Sequence, residues 1–266
     1  MLKENVKQLI RESLADLTHP VRLVLFVSDR LCDSCPDAVA LGQAIKAAAP
    51  KVALETYDIT MDRDKSVEYG ITRAPSFVVQ STVRRSVTFS GAVEGVSLIL
   101  LLDAINGVAS NRSWFPDRIA STLTLLRHEV AVQVFLESDC TLCKPVAETA
   151  MALALTNRMV NTELIVADEF PDLLQKYRIK VLPFILFGGK LSHQGHASES
   201  EFLELLFRAQ AQAGSAEKRC VTCGQPSPEM ICESCKARIQ SEAVMHKRRD
   251  EHLSQTGTIV NPRKNP

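Results

Sequence analysis

The sequence predicts a mixed α/β protein in which one redox-type unit is written twice. Three observations carry this. A short apolar run leads into a Cys-x-x-Cys pair that opens a helical stretch, first at Val21–Val27 with Cys32 and Cys35, then at Val130–Leu136 with Cys140 and Cys143. A proline opening another apolar run follows 40 residues after each second cysteine, at Pro75 and Pro183. Cysteines, proline and a tyrosine (Tyr69, Tyr177) all recur at an offset of 108 residues.

The bulk numbers agree with two folded units. A chain of 266 residues, 45% hydrophobic and 23% charged, is long enough for about two domains with their own cores. Its 31 basic residues balance 31 acidic ones, which excludes a general electrostatic attraction to nucleic acid or membrane. No apolar run approaches the roughly 18–20 residues that span a bilayer. The first residues lack the apolar core of a secretory signal, so a cytoplasmic location is expected. All eight cysteines fall in Cys-x-x-Cys pairs, at 32/35, 140/143, 220/223 and 232/235. In a reducing compartment such pairs point to redox chemistry or metal binding rather than to structural staples.

The elements follow in order. Leu2, Val6, Leu9, Ile10, Leu14 and Leu17 have the spacing of an amphipathic helix that Pro20 ends. Val21–Val27 is nearly all apolar, as in a strand covered on both faces. Residues 36–49 read as a helix, Val52–Asp58 as a strand, 62–69 as a short helix, 71–79 and 83–89 as a hairpin, and 96–105 as a closing helix. That order suits a single sheet covered by helices. The second copy repeats it. Ile119, Leu123 and Leu126 answer Ile10, Leu14 and Leu17, and Phe135 answers Phe26, each at an offset of 109. The shift to 108 leaves one residue of difference in the loop before the cysteines. Gly188-Gly189 predicts a tight second hairpin, and 199–212 a last helix. Residues 106–116 form the junction, where Trp114 is expected to pack as an apolar anchor. The expected boundaries are therefore 1–109 and 110–213, followed by 214–253 and a tail at 254–266 too poor in apolar residues to fold alone.

A cysteine pair at a helix start places its first sulfur near unpaired backbone amides at the positive end of the helix, which favours the thiolate. The second cysteine, three positions on, lies on the same face and resolves the mixed disulfide. Cys32 and Cys140 are thus candidate nucleophiles, with Cys35 and Cys143 as resolving thiols. Asp33 lies inside the first motif and opposes a Cys32 thiolate. The second motif has neutral Thr141-Leu142 inside, with Asp139 before it and Lys144 after it. Cys140 is therefore expected to be the more acidic nucleophile, and the second pair the main one.

Strand, Cys-x-x-Cys, helix and a strand-opening proline together resemble the thioredoxin fold. Two such units in tandem resemble the glutaredoxin-like protein disulfide oxidoreductases, over roughly residues 1–213. The resemblance implies that Pro75 and Pro183 are cis and shape the substrate groove beside each pair. It also implies disulfide exchange with protein substrates. Two positions depart from the thioredoxin pattern: Leu31 and Asp139 stand where a Trp precedes the motif, and Phe26 and Val134 stand where a buried Asp lies six residues before it.

Past Gly214, Cys220, Cys223, Cys232 and Cys235 have the C-x2-C-x8-C-x2-C spacing of two knuckles closing one tetrahedral site; structural zinc is expected there, with rubredoxin-like iron or a third redox pair as the alternatives. Residues 217–266 carry nine Lys/Arg against six Asp/Glu, so the charged run 236–253 is expected to be a solvated helix or to touch RNA or an acidic partner. No G-x-G-x-x-G follows a strand, so no flavin or nicotinamide site is expected. Electrons would come from a separate reductase or from glutathione. The leading function is a cytoplasmic thiol-disulfide oxidoreductase. The alternative is a zinc-anchored partner-binding or redox-sensing adaptor that uses the repeated fold as scaffold.

Overall fold

The computed structural model describes residues 2–30, 32–81, 86–110, 113–214, 222–223 and 233–238. The chain divides into two compact units, Met1–Gly214 and Ser215–Pro266. In the first, each copy runs helix, β, α, β, α, β, β, α. Copy 1 comprises α1 (Glu4–Ser13), β1 (Val21–Val27), α2 (Cys35–Ala48), β2 (Val52–Asp58), α3 (Arg63–Tyr69), β3 (Ser76–Gln80), β4 (Ser86–Ser90) and α4 (Gly95–Ala109). Copy 2 comprises α5 (Asp117–Leu123), β5 (Val130–Leu136), α6 (Lys144–Thr156), β6 (Val160–Val166), α7 (Pro171–Tyr177), β7 (Phe184–Phe187), β8 (Leu191–Gln194) and α8 (Glu199–Gly214).

All eight strands form one sheet in the order β2-β1-β3-β4-β6-β5-β7-β8. Within each copy the first two strands are parallel, the third runs antiparallel to the first, and the fourth runs antiparallel to the third. The copies join through β4 and β6, which pair in parallel from Val87 opposite Thr162 to Ser90 opposite Ile165. This joint is head-to-tail: the last strand of copy 1 meets the second strand of copy 2, and β8, the counterpart of β4, ends the sheet.

Side-chain alternation along the strands sorts the core into layers. Leu23 and Leu25, Phe77 and Val79, Val87 and Phe89, Val132 and Val134, and Ile185 and Phe187 join one large core with the helix residues Ile10, Leu41, Ile45, Leu101, Ile105, Ala150 and Phe202. The opposite face carries two small clusters. Val24, Phe26, Ile71 and Val78 pack with Tyr57 and Tyr69, while Phe135, Ile165, Leu173, Phe184 and Leu186 pack with Phe170 and Tyr177. The repeated Phe and Tyr therefore meet each other: ring centroids lie 5.6 Å apart for Phe26–Tyr69 and 5.8 Å for Phe135–Tyr177. Between these clusters the sheet face is polar, with a cavity of about 640 Å³ lined in part by Arg22, Arg73, Thr88, Gln133 and Glu163.

The third strand is shorter than its apolar run. It starts at Ser76 rather than at residue 71, because Pro75 has no N–H for a ladder bond, and Ile71 packs into the core from the preceding loop. Trp114 packs against the large core from the junction, and its ring fills the place a Cβ on Gly107 of α4 would take, at 1.9 Å. Among the described residues no helix is long and apolar enough to cross a membrane. Of the second unit only 222–223 and 233–238 are described; Cys223 is exposed and Cys235 buried. Cys220, Cys232, most of the charged run and the tail lie outside the described residues.

Candidate active site

Each redox motif sits where a central strand gives way to a helix. β1 ends at Val27 and α2 begins at Cys35; β5 ends at Leu136 and α6 begins at Lys144, with Cys143 as its N-cap. Cys32 is disulfide-bonded to Cys35, and Cys140 to Cys143. In both pairs the first cysteine is half-buried and the second buried.

The first cysteines are not on the helices, contrary to the single helical face expected. They lie in a turn just ahead, closed by Cys35 N–H to the Cys32 carbonyl at 3.3 Å and Cys143 N–H to the Cys140 carbonyl at 3.1 Å. The cause is the proline in each first turn, Pro36 or Pro145. A proline ring is tolerated there but collides with the carbonyl four residues back, so the helix cannot extend over the motif. In copy 2 the turn still brings an amide to the first sulfur, whereas in copy 1 an amide from the preceding loop reaches the second. Cys143 N–H donates to Cys140 Sγ at 3.1 Å, and Ser28 N–H donates to Cys35 Sγ at 3.4 Å.

The peptide bonds Ala74–Pro75 and Leu182–Pro183 are cis. Phe26 pairs with Ser76 and Phe135 with Phe184, so each proline lies across from the last residue of the strand that leads into its motif. The Pro75 carbonyl accepts Gly91 N–H at 2.9 Å, and the Pro183 carbonyl accepts Gly195 N–H at 2.8 Å. These two bonds are equivalent in the two copies.

The surroundings of the pairs are not equivalent. Ser34, inside the first motif, donates its hydroxyl to Glu169 at 2.6 Å. Arg73, two residues before Pro75, forms an ion pair with Glu163 and lies over the Phe170 ring at 5.6 Å. Glu163 also accepts Ser90 Oγ at 2.7 Å and Gln133 Nε2 at 2.8 Å, so its carboxylate is saturated at the β4–β6 seam. Its counterpart Glu55 takes Arg22 of its own copy at 2.6 Å, a bond that holds the Glu55 carboxyl below its ordinary range. Copy 2 has Ala131 at the position of Arg22, and Glu163 draws on Arg73 of copy 1 instead.

The second motif touches copy 1 as well. Val96 N–H donates to the Ser138 carbonyl at 2.8 Å. A Cβ on Gly95, whose φ is +52°, would lie 1.9 Å from Asp139 Oδ1, so the residue ahead of Cys140 is accommodated by the absence of a side chain at the start of α4. Lys144 donates to Glu148 one turn on, which raises its pKa and keeps it cationic, but shares its charge with that carboxylate. The sequence names the four cysteines and two prolines as candidates; it does not name Ser34, Arg73, Glu163 and Glu169 as their neighbours. The readable signal was the polarity difference at offset 108, Ser34 against Leu142 and Arg73 against Val181.

The family described as "Thioredoxin domain" matches residues 130–208. A curated protein from Methanothermobacter thermautotrophicus, "Probable Thioredoxin", is 34% identical over 65 residues, covering 24% of this chain and 75% of that protein. The chain belongs to the thioredoxin family. Its relative from Methanothermobacter marburgensis is 32% identical over the same length. Both copies of this thioredoxin-family chain have counterparts in solved structures. The NTD_N/C domain of the alkylhydroperoxide reductase AhpF from Enterococcus faecalis superposes with TM-score 0.70 at 22% identity, covering 77% of this chain and 100% of that one. A protein disulfide oxidoreductase from Aeropyrum pernix K1 gives TM-score 0.70 at 24% identity, covering 81% and 95%. These likenesses show that the tandem thioredoxin fold is shared.

Proposed function

We propose that the protein is a thiol-disulfide oxidoreductase acting on protein disulfides, with Cys140 and Cys143 as the principal pair and Cys32 and Cys35 as a second. The observation that carries this reading is a half-buried Cys140 in the turn just ahead of α6, its sulfur bonded to Cys143 and 3.1 Å from the Cys143 amide. In the reducing direction the Cys140 thiolate attacks one sulfur of a substrate disulfide and expels the other as a thiolate. The Cys143 thiolate then attacks the Cys140 sulfur, and the second substrate thiolate leaves. The substrate gains two electrons, and the pair loses two and closes into the disulfide of this structure. A dithiol reductase or glutathione, in the reducing setting of the cytoplasm, restores the dithiol. The protein is expected to accelerate reduction of insulin by dithiothreitol; a rate no faster than dithiothreitol alone overturns the reading in favour of the adaptor.

The charges around the pairs support an order of reactivity. Asp33 lies within the first motif, and Glu169 is bound to its Ser34, so two carboxylates stand near the Cys32 thiolate. Alkylation of the reduced protein by iodoacetamide at graded pH, read by peptide mass spectrometry, is expected to label Cys140 at lower pH than Cys32. The reverse order removes this basis for ranking the pairs.

The four cysteines at 220, 223, 232 and 235 belong to the same proposal as a structural zinc site, on the strength of their spacing. Elemental analysis of the purified full chain is expected to find about one zinc per molecule, lost when these cysteines become serine. Metal-free protein, or iron in its place, refutes the zinc assignment.

A further inference from the structure

Two side chains in each copy occupy equivalent positions around the redox pair: the residue before the second cysteine and the residue two before the cis proline. In copy 2 they are Leu142 and Val181, which are 80% and 53% exposed. In copy 1 they are Ser34 and Arg73, and both are held by copy 2. Ser34 is bound to Glu169, and Arg73 is paired with Glu163 over the Phe170 ring, leaving its side chain 17% exposed.

The asymmetry follows from the topology. A head-to-tail joint lays β6 and the turn after it, Ala167–Glu169, against the β4 side of copy 1. The same side of copy 2 is β8, where the sheet ends and no third copy follows. Arg73 and Ser34 thus serve the joint, whereas Leu142 and Val181 stay largely exposed.

We propose that the joint gives the two pairs different substrates. The second pair takes disulfides held in polypeptide, through an apolar rim of Leu142 and Val181, and the first pair, latched by Glu163 and Glu169, takes only small disulfides and dithiols. This rests on the oxidoreductase reading above. The pair itself exchanges only with thiols and disulfides, which fixes the reacting group of the occupant. The rim fixes the rest: two exposed apolar side chains, one inside the motif and one two residues before the proline, gain free energy by covering apolar residues next to a cystine. A small disulfide has no such flanks and needs only access to the sulfur. Cys32 and Cys140 are both half-buried, so that access exists at both sites.

The test uses two full-length single-pair proteins, C140S/C143S and C32S/C35S, each assayed with insulin and with bis(2-hydroxyethyl) disulfide under dithiothreitol. The ratio of kcat/KM for insulin to that for the small disulfide is expected to be at least about tenfold lower for the C140S/C143S protein, from loss of the apolar rim. Importing the first-site residues, L142S and V181R, into the C32S/C35S protein is expected to lower the same ratio by roughly tenfold, mainly through KM. Leu142→Ser alone, at a position where the fold does not use the side chain, is expected to lower it less, in the same direction. Equal ratios for the two single-pair proteins, or an unchanged ratio in L142S/V181R, overturn the proposal. Failure of both single-pair proteins to reduce even the small disulfide is a different result, and sinks the oxidoreductase reading beneath it.

Discussion

Cys143→Ser is expected to turn the second site from a turnover site into a trap. In a chain that also carries C32S and C35S, the Cys140 thiolate still attacks a substrate disulfide, but no thiol remains three residues on to release it. A covalent adduct of chain and substrate accumulates, visible by non-reducing electrophoresis and dissolved by dithiothreitol. In the same background Cys140→Ser is expected to show neither adduct nor turnover, since serine at neutral pH does not exchange with disulfides. The asymmetry between the two variants is the informative outcome. It follows from burial: Cys140 is half-buried whereas Cys143 is 1% exposed, so only the first sulfur meets a macromolecule. Adducts forming on Cys143 in the C140S variant would reverse the roles assigned here.

Phe135→Ala is expected to destabilise the sheet unit by about 3–5 kcal/mol, the range for removing a fully buried aromatic ring. Phe135 is 0% exposed on β5 and packs edge-on against Tyr177 and Phe184, each at 5.8 Å between ring centroids. The loss should lower the melting temperature by on the order of 10 °C for a unit of this size. Phe135→Leu, which keeps most of the volume, is expected to lose well under half as much. Because Phe184 follows the cis proline and β5 leads into the second motif, the alanine variant should also slow insulin reduction more than its loss of folded fraction explains. A melting temperature shifted by less than about 2 °C would mean that the cluster around α7 relaxes into the cavity.

The sequence made the local architecture legible for reasons that can be named. Val21–Val27 and Val130–Leu136 read as buried strands because covered parallel strands need apolar side chains on both faces, and both have those bounds. The repeated Phe and Tyr were visible as an offset, and the structure supplies their purpose as a ring pair behind each motif. Element ends were less legible where proline chemistry intervenes: Pro36 and Pro145 hold the first cysteines off the helices, and Pro75 delays β3 to Ser76.

Local pattern is enough to define the repeated half: its alternation of strands and helices, its cysteine pair just ahead of a helix, its strand-opening proline, and the fact that it occurs twice. How the two copies meet is settled by the long-range pairing of β4 with β6. Edge strands pair through backbone N–H and C=O groups that nearly every residue carries, so the residues of β4 and β6 do not announce each other. Once they pair, Arg73 finds Glu163, Ser34 finds Glu169, and Gly95 makes room for Asp139, all across separations that no local pattern records. The same joint leaves Leu142 and Val181 facing water. Two copies of one motif become two different sites because a head-to-tail pairing covers one of them and has no third copy to cover the other.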